Sequence, residues 1–263
     1  MRLLFLLCLA SSVSSFAADT TRYVVLMTGK PAGKFFTWSE SHGKHAYYFE
    51  YNDRGRGPSL RVDIETDNDG LVTKRIAKGH DYYKAPVEES FLLAKGNAQW
   101  KNHIENDQRA ISSKALYSPL NTVPGEIELA LKVLHKTPGH ELPMLPSGKM
   151  KAQHLKNHVT KLDGIKVELE LYAFVGAGGP PSYLWFTPKK DFFASVSGWM
   201  TTIVEGHDDL IPELKELQDR IEEEYFFEQA KKFTQKHAGP VLIKDVNLFD
   251  PAKAKVVKGQ SVV

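Results

Sequence analysis

Two pairs of histidines have spacings that metal ligands can use. His154 and His158 are four residues apart, as in the zinc motif HExxH, but Leu155 stands where that motif has its glutamate. Nearby lysines would repel a cation, so we interpret the pair as surface histidines. His42 and His45 are three apart and would point to opposite faces of a strand. The sequence therefore predicts no metal site and selects no catalytic residue.

The most unusual polar stretch runs from Asn52 to Pro58, NDRGRGP. Its candidate ligand-binding residues are Asn52, Asp53, Arg54 and Arg56, because two guanidinium groups could hold a carboxylate or a phosphate. The alternative is a loop in which the asparagine, the aspartate and the glycines satisfy a turn while the arginines lie in solvent. Turn chemistry alone explains most of the stretch, so the loop interpretation is favoured.

The glycine-rich stretch Gly176 to Pro181, GAGGPP, does not match a nucleotide motif. The dinucleotide fingerprint needs a glycine at position 181 and a helix that begins there, whereas this chain has a proline followed by a strand-like run. There is also no G-x-S-x-G elbow and no P-loop. These motifs give no support to nucleotide binding or to triad chemistry.

Alternating apolar and polar residues predict a mainly antiparallel β structure. Ser59 to Glu65 places leucine, valine and isoleucine on one face and charged residues on the other. Asp67 to Gly70 is a strong turn signal, and Leu71 to Ala77 would pair back across it. Ile165 to Val175 is the clearest strand of all. Short strands separated by tight turns are typical of a meander with one packed and one solvated face.

Helical spacing appears in two places. Pro124-Gly125-Glu126 opens a short helix that ends by Pro138. From His207 to Ala238, leucines recur at helical spacing and glutamates cover the other side. The last stretch, Gly239 to Val263, predicts a hairpin. The predicted fold class is α+β and mainly antiparallel β, an open half-barrel or curved meander with one long C-terminal helix and a terminal β-hairpin.

Composition and the N-terminus limit the function classes. The formal net charge of +2 gives no electrostatic reason to expect nucleic acid as a partner. No apolar run after the N-terminus is long enough to span a membrane. Arg2, an apolar core and the Phe16-Ala17-Ala18 site predict a signal peptide at residues 1–18, and hence a periplasmic or secreted protein. The only cysteine, Cys8, lies inside that segment.

The terminal stretch also carries a family resemblance. Its residues are Leu242-Ile243, Asp245 in place of a usual asparagine, Leu248-Phe249-Asp250, and Val257 with Gly259. They resemble the opening strands of metal-dependent amidohydrolases, the imidazolonepropionase-like and dihydroorotase-like enzymes. The runs from Phe49 to Leu60 and from Pro181 to Trp199 resemble the N-terminal extension of some exported bacterial members of that superfamily.

The resemblance implies a chain that stops before its catalytic barrel. In that family the hairpin opens a small β-sandwich beside a TIM-like barrel, which carries the metal ligands. The implied partner is a C-terminal amidohydrolase barrel in cis. No cofactor is expected in this chain, and zinc or another divalent metal is expected only if the full-length barrel is present. The small-molecule substrate stays unassigned.

The sequence thus predicts four segments. They are a signal peptide at 1–18, an antiparallel β-rich domain at 19–206, a connector helix at 207–238, and the first strands of an amidohydrolase β-sandwich at 240–263.

Three functional hypotheses follow. The first is an N-terminal module or fragment of a periplasmic metal-dependent amidohydrolase that hydrolyses C–N bonds, itself lacking the metal site. The second is a self-standing periplasmic binding protein whose curved sheet holds an apolar or lipid-like ligand between the strands and the helix. The third is a structural interaction domain. Tyr47, Phe49, Tyr183 and Trp185 suit ligand contact or packing, and packing is favoured.

Overall fold

The computed structural model describes residues 19–40, 43–162, 164–176, 178–235 and 237–263. The predicted signal peptide at 1–18 therefore lies outside the described residues, and so does His42, one histidine of the second pair. The chain divides into two compact units, one ending at Gln218 and the other running from Asp219 to Val263.

Fifteen strands form a single open sheet in the first unit. In chain order they are β1 (Asp19–Met27), β2 (Lys30–Glu40), β3 (Lys44–Tyr51), β4 (Ser59–Thr66), β5 (Val72–His80), β6 (Pro86–Ala94), β7 (Asn97–Lys101), β8 (Asn106–Ala110), β9 (Leu116–Tyr117), β10 (Glu141–Leu145), β11 (Lys149–Leu162), β12 (Ile165–Val175), β13 (Ser182–Phe186), β14 (Phe192–Ser195) and β15 (Met200–Val204).

The sheet consists of two meanders joined side by side. Strands β1 to β8 follow one another in space, strands β15 back to β9 follow on the other side, and β1 pairs with β15. Neighbours are antiparallel except β9 and β10, which are parallel. The edges are β8 and β9, so the predicted fold class, an open and mainly antiparallel sheet with a long helix and a terminal hairpin, is confirmed.

A short helix, α1 (Ile127–His135), packs on one face of the curved sheet. Its Leu131 and Leu134 are fully buried with strand residues such as Phe35 and Val62. The helix is entered through a single 3-10 turn, where a Cβ on Gly125 would lie 2.7 Å from Cζ of Phe35. A side chain at this position would force the fully buried Phe35 ring to shift, which favours glycine there. We call this helix-bearing side the inner face of the sheet.

Most inner-face side chains are apolar, but one buried ionic cluster joins the sheet to the segment before α1. Arg75 is 1% exposed and Glu89 is 2% exposed. The Arg75 guanidinium donates to both carboxylate oxygens of Glu126, with Nε–Oε2 at 2.6 Å and Nη2–Oε1 at 2.8 Å. Glu89 accepts hydrogen bonds from the Tyr117 hydroxyl and from the amides of Leu120 and Asn121. The cluster fixes the path of the chain that crosses the inner face.

The long helix, α2 (Ile211–Phe233), begins against the outer face of the sheet. Within the first unit, Leu214 is fully buried and Gln218 Nε2 donates to the Val196 carbonyl at 3.0 Å. Glu213 pairs with His158 Nε2 on β11 at 2.9 Å. The first two turns of α2 therefore cover part of the outer face.

The second unit contains the rest of α2, from Asp219, and the hairpin β16 (Ile243–Asp250) and β17 (Lys255–Val262). Leu248 lies opposite Val257, and Phe249 lies opposite Val256. Since neighbouring residues of a strand point to opposite sides, both faces of the hairpin carry apolar pairs, and these four side chains are exposed. Among the described residues, no helix combines the length and the apolar character that crossing a membrane requires.

Candidate functional site

The loop from residue 52 to 58 joins β3 to β4 at one rim of the sheet, and it brings the four candidate residues together. Asn52 Oδ1 accepts a hydrogen bond from the Gly55 amide at 2.8 Å. The Asp53 and Arg56 backbones exchange two hydrogen bonds, at 2.7 and 3.0 Å. These hydrogen bonds within the loop are the turn chemistry that the loop interpretation expects.

Asp53 is the electrostatic centre of that loop. Its carboxylate accepts from Arg54 Nε at 2.8 Å and from the Tyr82 hydroxyl at 2.5 Å. Arg56 stacks over the Tyr82 ring, 5.1 Å from its centroid. The hydrogen bond from Arg54, and then that from Tyr82, lower the pKa of Asp53 below its ordinary value. The two guanidinium groups are therefore already oriented by groups of the protein itself.

The lowered pKa of Asp53 predicts an acid-sensitive contribution to stability. The stabilisation is present above the unfolded-state pKa of about 3.9 and is lost as the pH falls through the lower folded-state pKa. We expect Asp53→Asn to reduce the free energy of unfolding at neutral pH, and the difference from the wild type to shrink between about pH 5 and pH 2. Urea unfolding at several pH values measures this. A difference that stays constant over that range would contradict it.

A second cluster lies on the outer face, where four side chains line a shallow groove of about 460 Å³. They come from alternate positions of β1 and β2: Thr20, Arg22, Phe36 and Trp38. The register places Arg22 opposite Phe36, and Thr20 opposite Trp38. Because Phe35 points to the inner face, the next residue Phe36 must point outward. Two aromatic side chains and one exposed arginine therefore share a solvent-facing surface.

Aromatic and cationic side chains extend this groove across β3 and β4. The rings of Phe36 and Tyr48 stack at 6.3 Å, and the Arg61 guanidinium lies 4.5 Å from the centroid of Trp38. Trp38 lies opposite Ala46. A separate, smaller depression of about 130 Å³ is lined by residues of β3, β4 and β5, which include Ala46. The arrangement can hold an apolar body against the rings and an anionic group at the arginine.

The inner face is already filled. Tyr47 and Phe49 are buried in the core with α1, and Trp185 is fully buried elsewhere in the sheet. Burial also raises the pKa of the Tyr47 hydroxyl well above its ordinary range. Packing therefore fits Tyr47, Phe49 and Trp185, whereas Tyr183 is half-buried. A ligand held between the strands and α1 would have to displace Tyr47 and Phe49.

Comparisons with known proteins add a fold-level similarity. No protein-family model and no curated protein matches this chain. One solved structure with similarity is described as a β-barrel-like protein of a domain of unknown function, DUF1849, from Brucella abortus. The similarity covers 70% of this chain and 94% of that chain, with a TM-score of 0.47 and 10% identity.

The expected membership of the amidohydrolase superfamily is wrong. Neither comparison by sequence finds an amidohydrolase. The hydrolase assignment, the amidohydrolase identity of the strands at 240–263 and the barrel partner in cis lose their support with it. Zinc or another divalent metal was expected only with that barrel and stays a prediction. The four segment boundaries also stay predictions.

His154 and His158, which we interpret from the sequence as surface histidines, do not lie together in the structure. His154 and His158 lie on β11, on either side of a register shift. His154 contacts the ring of Tyr172, which belongs to the inner-face core, whereas His158 contacts Trp185 and Glu213. Across the described ranges, no group of three or more histidine, aspartate, glutamate or cysteine side chains is placed to bind a metal ion.

Sequence reasoning missed the outer groove. The sequence did contain a signal for it. Phe36 and Trp38 are two residues apart and so lie on one side of a strand, and Thr20 and Arg22 have the same spacing on the neighbouring strand. The pattern was ambiguous because Phe35 places an aromatic residue on the opposite side as well. Only the position of α1 identifies which side is the core.

Proposed function

We propose that this chain is an exported binding protein for an amphipathic, lipid-like ligand that carries an anionic group. The outer groove is the proposed site: Phe36 and Trp38 contact the apolar body, and Arg22 pairs with the anionic group. The single observation that carries the proposal is the solvent-facing groove of about 460 Å³ in which these three side chains meet.

Apolar surface that stays in water is unfavourable. Phe36 and Trp38 are half-buried, and a ligand that covers the rest of their rings would gain about 25 cal/mol for each Å² of apolar surface removed from water. A guanidinium beside them is weakly hydrated and suited to carboxylate or phosphate. Arg61, stacked on Trp38, adds a second positive charge at 4.5 Å from the ring. The combination favours an anionic amphiphile over a neutral apolar compound.

Export is part of the proposal. It is supported by the charged start, apolar core and small-residue site within residues 1–18, which form the pattern of a secretory signal. A ligand that is poorly soluble in water needs a carrier when it leaves a membrane, and an exported binding protein would supply one.

The test uses a long-chain fatty acid with a brominated tail, whose bromines quench nearby tryptophan fluorescence. Trp38 reports on the groove, whereas Trp199, on the rim beside Tyr51, reports on the loop region. We expect the unbrominated acid to leave fluorescence high and the brominated acid to quench it. Trp38→Phe should remove most of the quenching, and Trp199→Phe should leave it.

Affinity variants complete the test. Arg22→Ala should weaken fatty-acid binding about tenfold or more, since hydrogen bonds to a charged group contribute about 1.5–3 kcal/mol. The methyl ester of the same acid should bind weakly to the wild type. Arg56→Ala, which removes a cation from the rim, is the matched control and should bind like the wild type. Quenching that survives Trp38→Phe, or affinity that falls only with Arg56→Ala, would overturn the groove as the site.

A further inference from the structure

Four connections between strands meet at one end of the sheet. The Gly57 amide donates to the Tyr82 carbonyl, and the Thr28 amide donates to the Trp199 carbonyl, both at 2.9 Å. The rings of Tyr51 and Trp199 are 6.5 Å apart. These contacts join the β3–β4 and β5–β6 loops to the β1–β2 turn and the β14–β15 loop. We call the surface that they form the loop rim, which consists of residues 28–30, 51–58, 81–85 and 196–199.

The loop rim exposes aromatic rings to solvent. Tyr83 is 76% exposed and Trp199 is 49% exposed. The Tyr51 ring lies at 90° to that of Trp199, and the Tyr82 ring lies at 87° to that of Tyr83, so the four rings do not form a flat platform. Tyrosine and tryptophan combine an apolar ring with a polar tip and are enriched where a bilayer meets water. The two exposed rings therefore suit the surface of a membrane.

The charges of the loop rim favour an anionic partner. It contains two carboxylates, Asp53 and Asp81, and four cations, Lys30, Arg54, Arg56 and Lys84. The Asp53 side chain is only 8% exposed, whereas those of Arg54 and Arg56 are 79% and 46% exposed. The carboxylate of the β3–β4 loop thus lies beneath the surface, and its two guanidinium groups lie at the surface.

The β5–β6 loop has the same arrangement. Asp81 Oδ1 accepts hydrogen bonds from the amides of Tyr83 and Ala85, at 2.8 and 2.9 Å, so this carboxylate is directed toward its own loop. Lys84 Nζ donates to the Gly57 carbonyl at 2.8 Å, which holds the ammonium group beside the arginines of the neighbouring loop. An ammonium group has three N–H donors, so the same lysine can also bind a phosphate.

We infer that the loop rim binds the surface of an anionic phospholipid bilayer. Tyr83 and Trp199 lie at the level of the headgroups, and the cations pair with lipid phosphates. The binding is peripheral, because it needs no segment that crosses the bilayer. It goes beyond the proposed function, since none of the residues that line the outer groove takes part.

Flotation with phospholipid vesicles tests the inference on the form of the chain that export would leave, from Asp19 onward, because the apolar core of residues 1–18 would itself bind lipid. We expect binding to vesicles that contain phosphatidylglycerol and little binding to phosphatidylcholine alone. Raising the salt from about 0.05 to about 0.5 M should release the protein, because salt screens exposed charges. Soluble glycerol phosphate should not compete, since it offers no bilayer surface. Equal binding to both kinds of vesicle, or full competition by glycerol phosphate, overturns the inference.

Two lysines at opposite ends of β6 supply matched variants. Lys84 and Lys95 are both exposed turn residues with a left-handed backbone, at φ 70° and 51°. Lys84→Gln should weaken binding to phosphatidylglycerol vesicles about fivefold, and the double variant with Arg54→Gln about thirtyfold. Lys95→Gln makes the same charge change at the far end of the strands and should bind like the wild type. Equal losses for Lys84→Gln and Lys95→Gln would show that net charge alone matters, and would overturn the loop rim as the site.

Phosphatidylglycerol with brominated acyl chains locates the contact, because the bromines quench nearby tryptophan fluorescence. We expect quenching that Trp199→Phe removes and Trp38→Phe leaves. The fatty-acid experiment on the outer groove has the opposite dependence on these two residues, so failure of one proposal is distinguishable from failure of the other. Quenching by the brominated vesicles that depends on Trp38 instead of Trp199 would place the bilayer on the outer face and overturn the inference.

Discussion

Replacing Arg75 with alanine is expected to lower the free energy of unfolding by about 3–5 kcal/mol. The guanidinium is 1% exposed and bonds both carboxylate oxygens of Glu126, and its Nη2 also donates to the Asn121 carbonyl at 2.5 Å. Its removal leaves Glu89 and Glu126 on the inner face without their cation. Burying an uncompensated charge is what makes this loss large, more than the loss of any one hydrogen bond. Urea unfolding measures the change.

Two further variants make the Arg75 prediction specific. Arg75→Lys keeps the charge but loses the paired geometry toward Glu126, so it should lie between alanine and the wild type. Lys114→Ala removes an exposed partner of Asp69, with Nζ–Oδ2 at 2.7 Å, and should lower the free energy of unfolding far less than Arg75→Ala, because an exposed ion pair contributes little. An Arg75→Ala loss as small as that of Lys114→Ala would show that the cluster does not fix the crossing segment.

The strands with regular alternation were predictable, because burial on one face leaves a period of two in the sequence. The stretches Ser59 to Glu65 and Ile165 to Val175 are β4 and β12 almost to the residue. Strand β5 shows why the rule fails locally. Its Arg75 points to the inner core while the apolar Ile76 points outward, opposite Asp63. Only the carboxylates of Glu89 and Glu126, distant in sequence, make that inversion stable.

Long-range partners also explain the missed strands. Strand β11 carries mostly polar residues over fourteen positions and is held by pairing with β12, so no apolar pattern marks it. The two aromatic residues Tyr82 and Tyr83 are typical of strands by residue type, but Asp81 Oδ1 accepts hydrogen bonds from the amides of Tyr83 and Ala85 and forms a turn there. The terminal hairpin, in contrast, led to a wrong family assignment. Its apolar pairs and the Asp250-Pro251 turn satisfy general hairpin chemistry, which many unrelated families share.

The candidate site was predictable only in part. Asn52 to Arg56 stood out by composition, and the structure does bring these residues together, with Asp53 as the common partner of Arg54 and Tyr82. The outer groove depends on which face of β2 the helix α1 covers. That choice is made by residues more than eighty positions away, such as Gly125 and Leu131, which no local pattern in β2 contains.

Phe35→Ala is expected to cost about 3–5 kcal/mol of unfolding free energy. The ring is fully buried at the centre of an aromatic cluster, 4.8 Å from the Tyr23 ring and 5.9 Å from that of Phe49. It also supports the close approach of Gly125 before α1. Truncation removes its buried area and leaves a cavity that the strands on both sides cannot close. Thermal or urea unfolding gives the loss.

The next residue supplies the matched comparison. Phe36→Ala makes the same chemical change one position along β2, but on the outer face, where the ring is only partly buried and stacks on Tyr48. It should cost about 1 kcal/mol or less, because little area is removed from the core, yet it should weaken fatty-acid binding. Since a one-residue slip of register exchanges the two faces, the pair of variants tests the face assignment itself. If Phe36→Ala proved the more destabilising of the two, the inner and outer faces of β2 would be reversed, and the proposed groove would not exist.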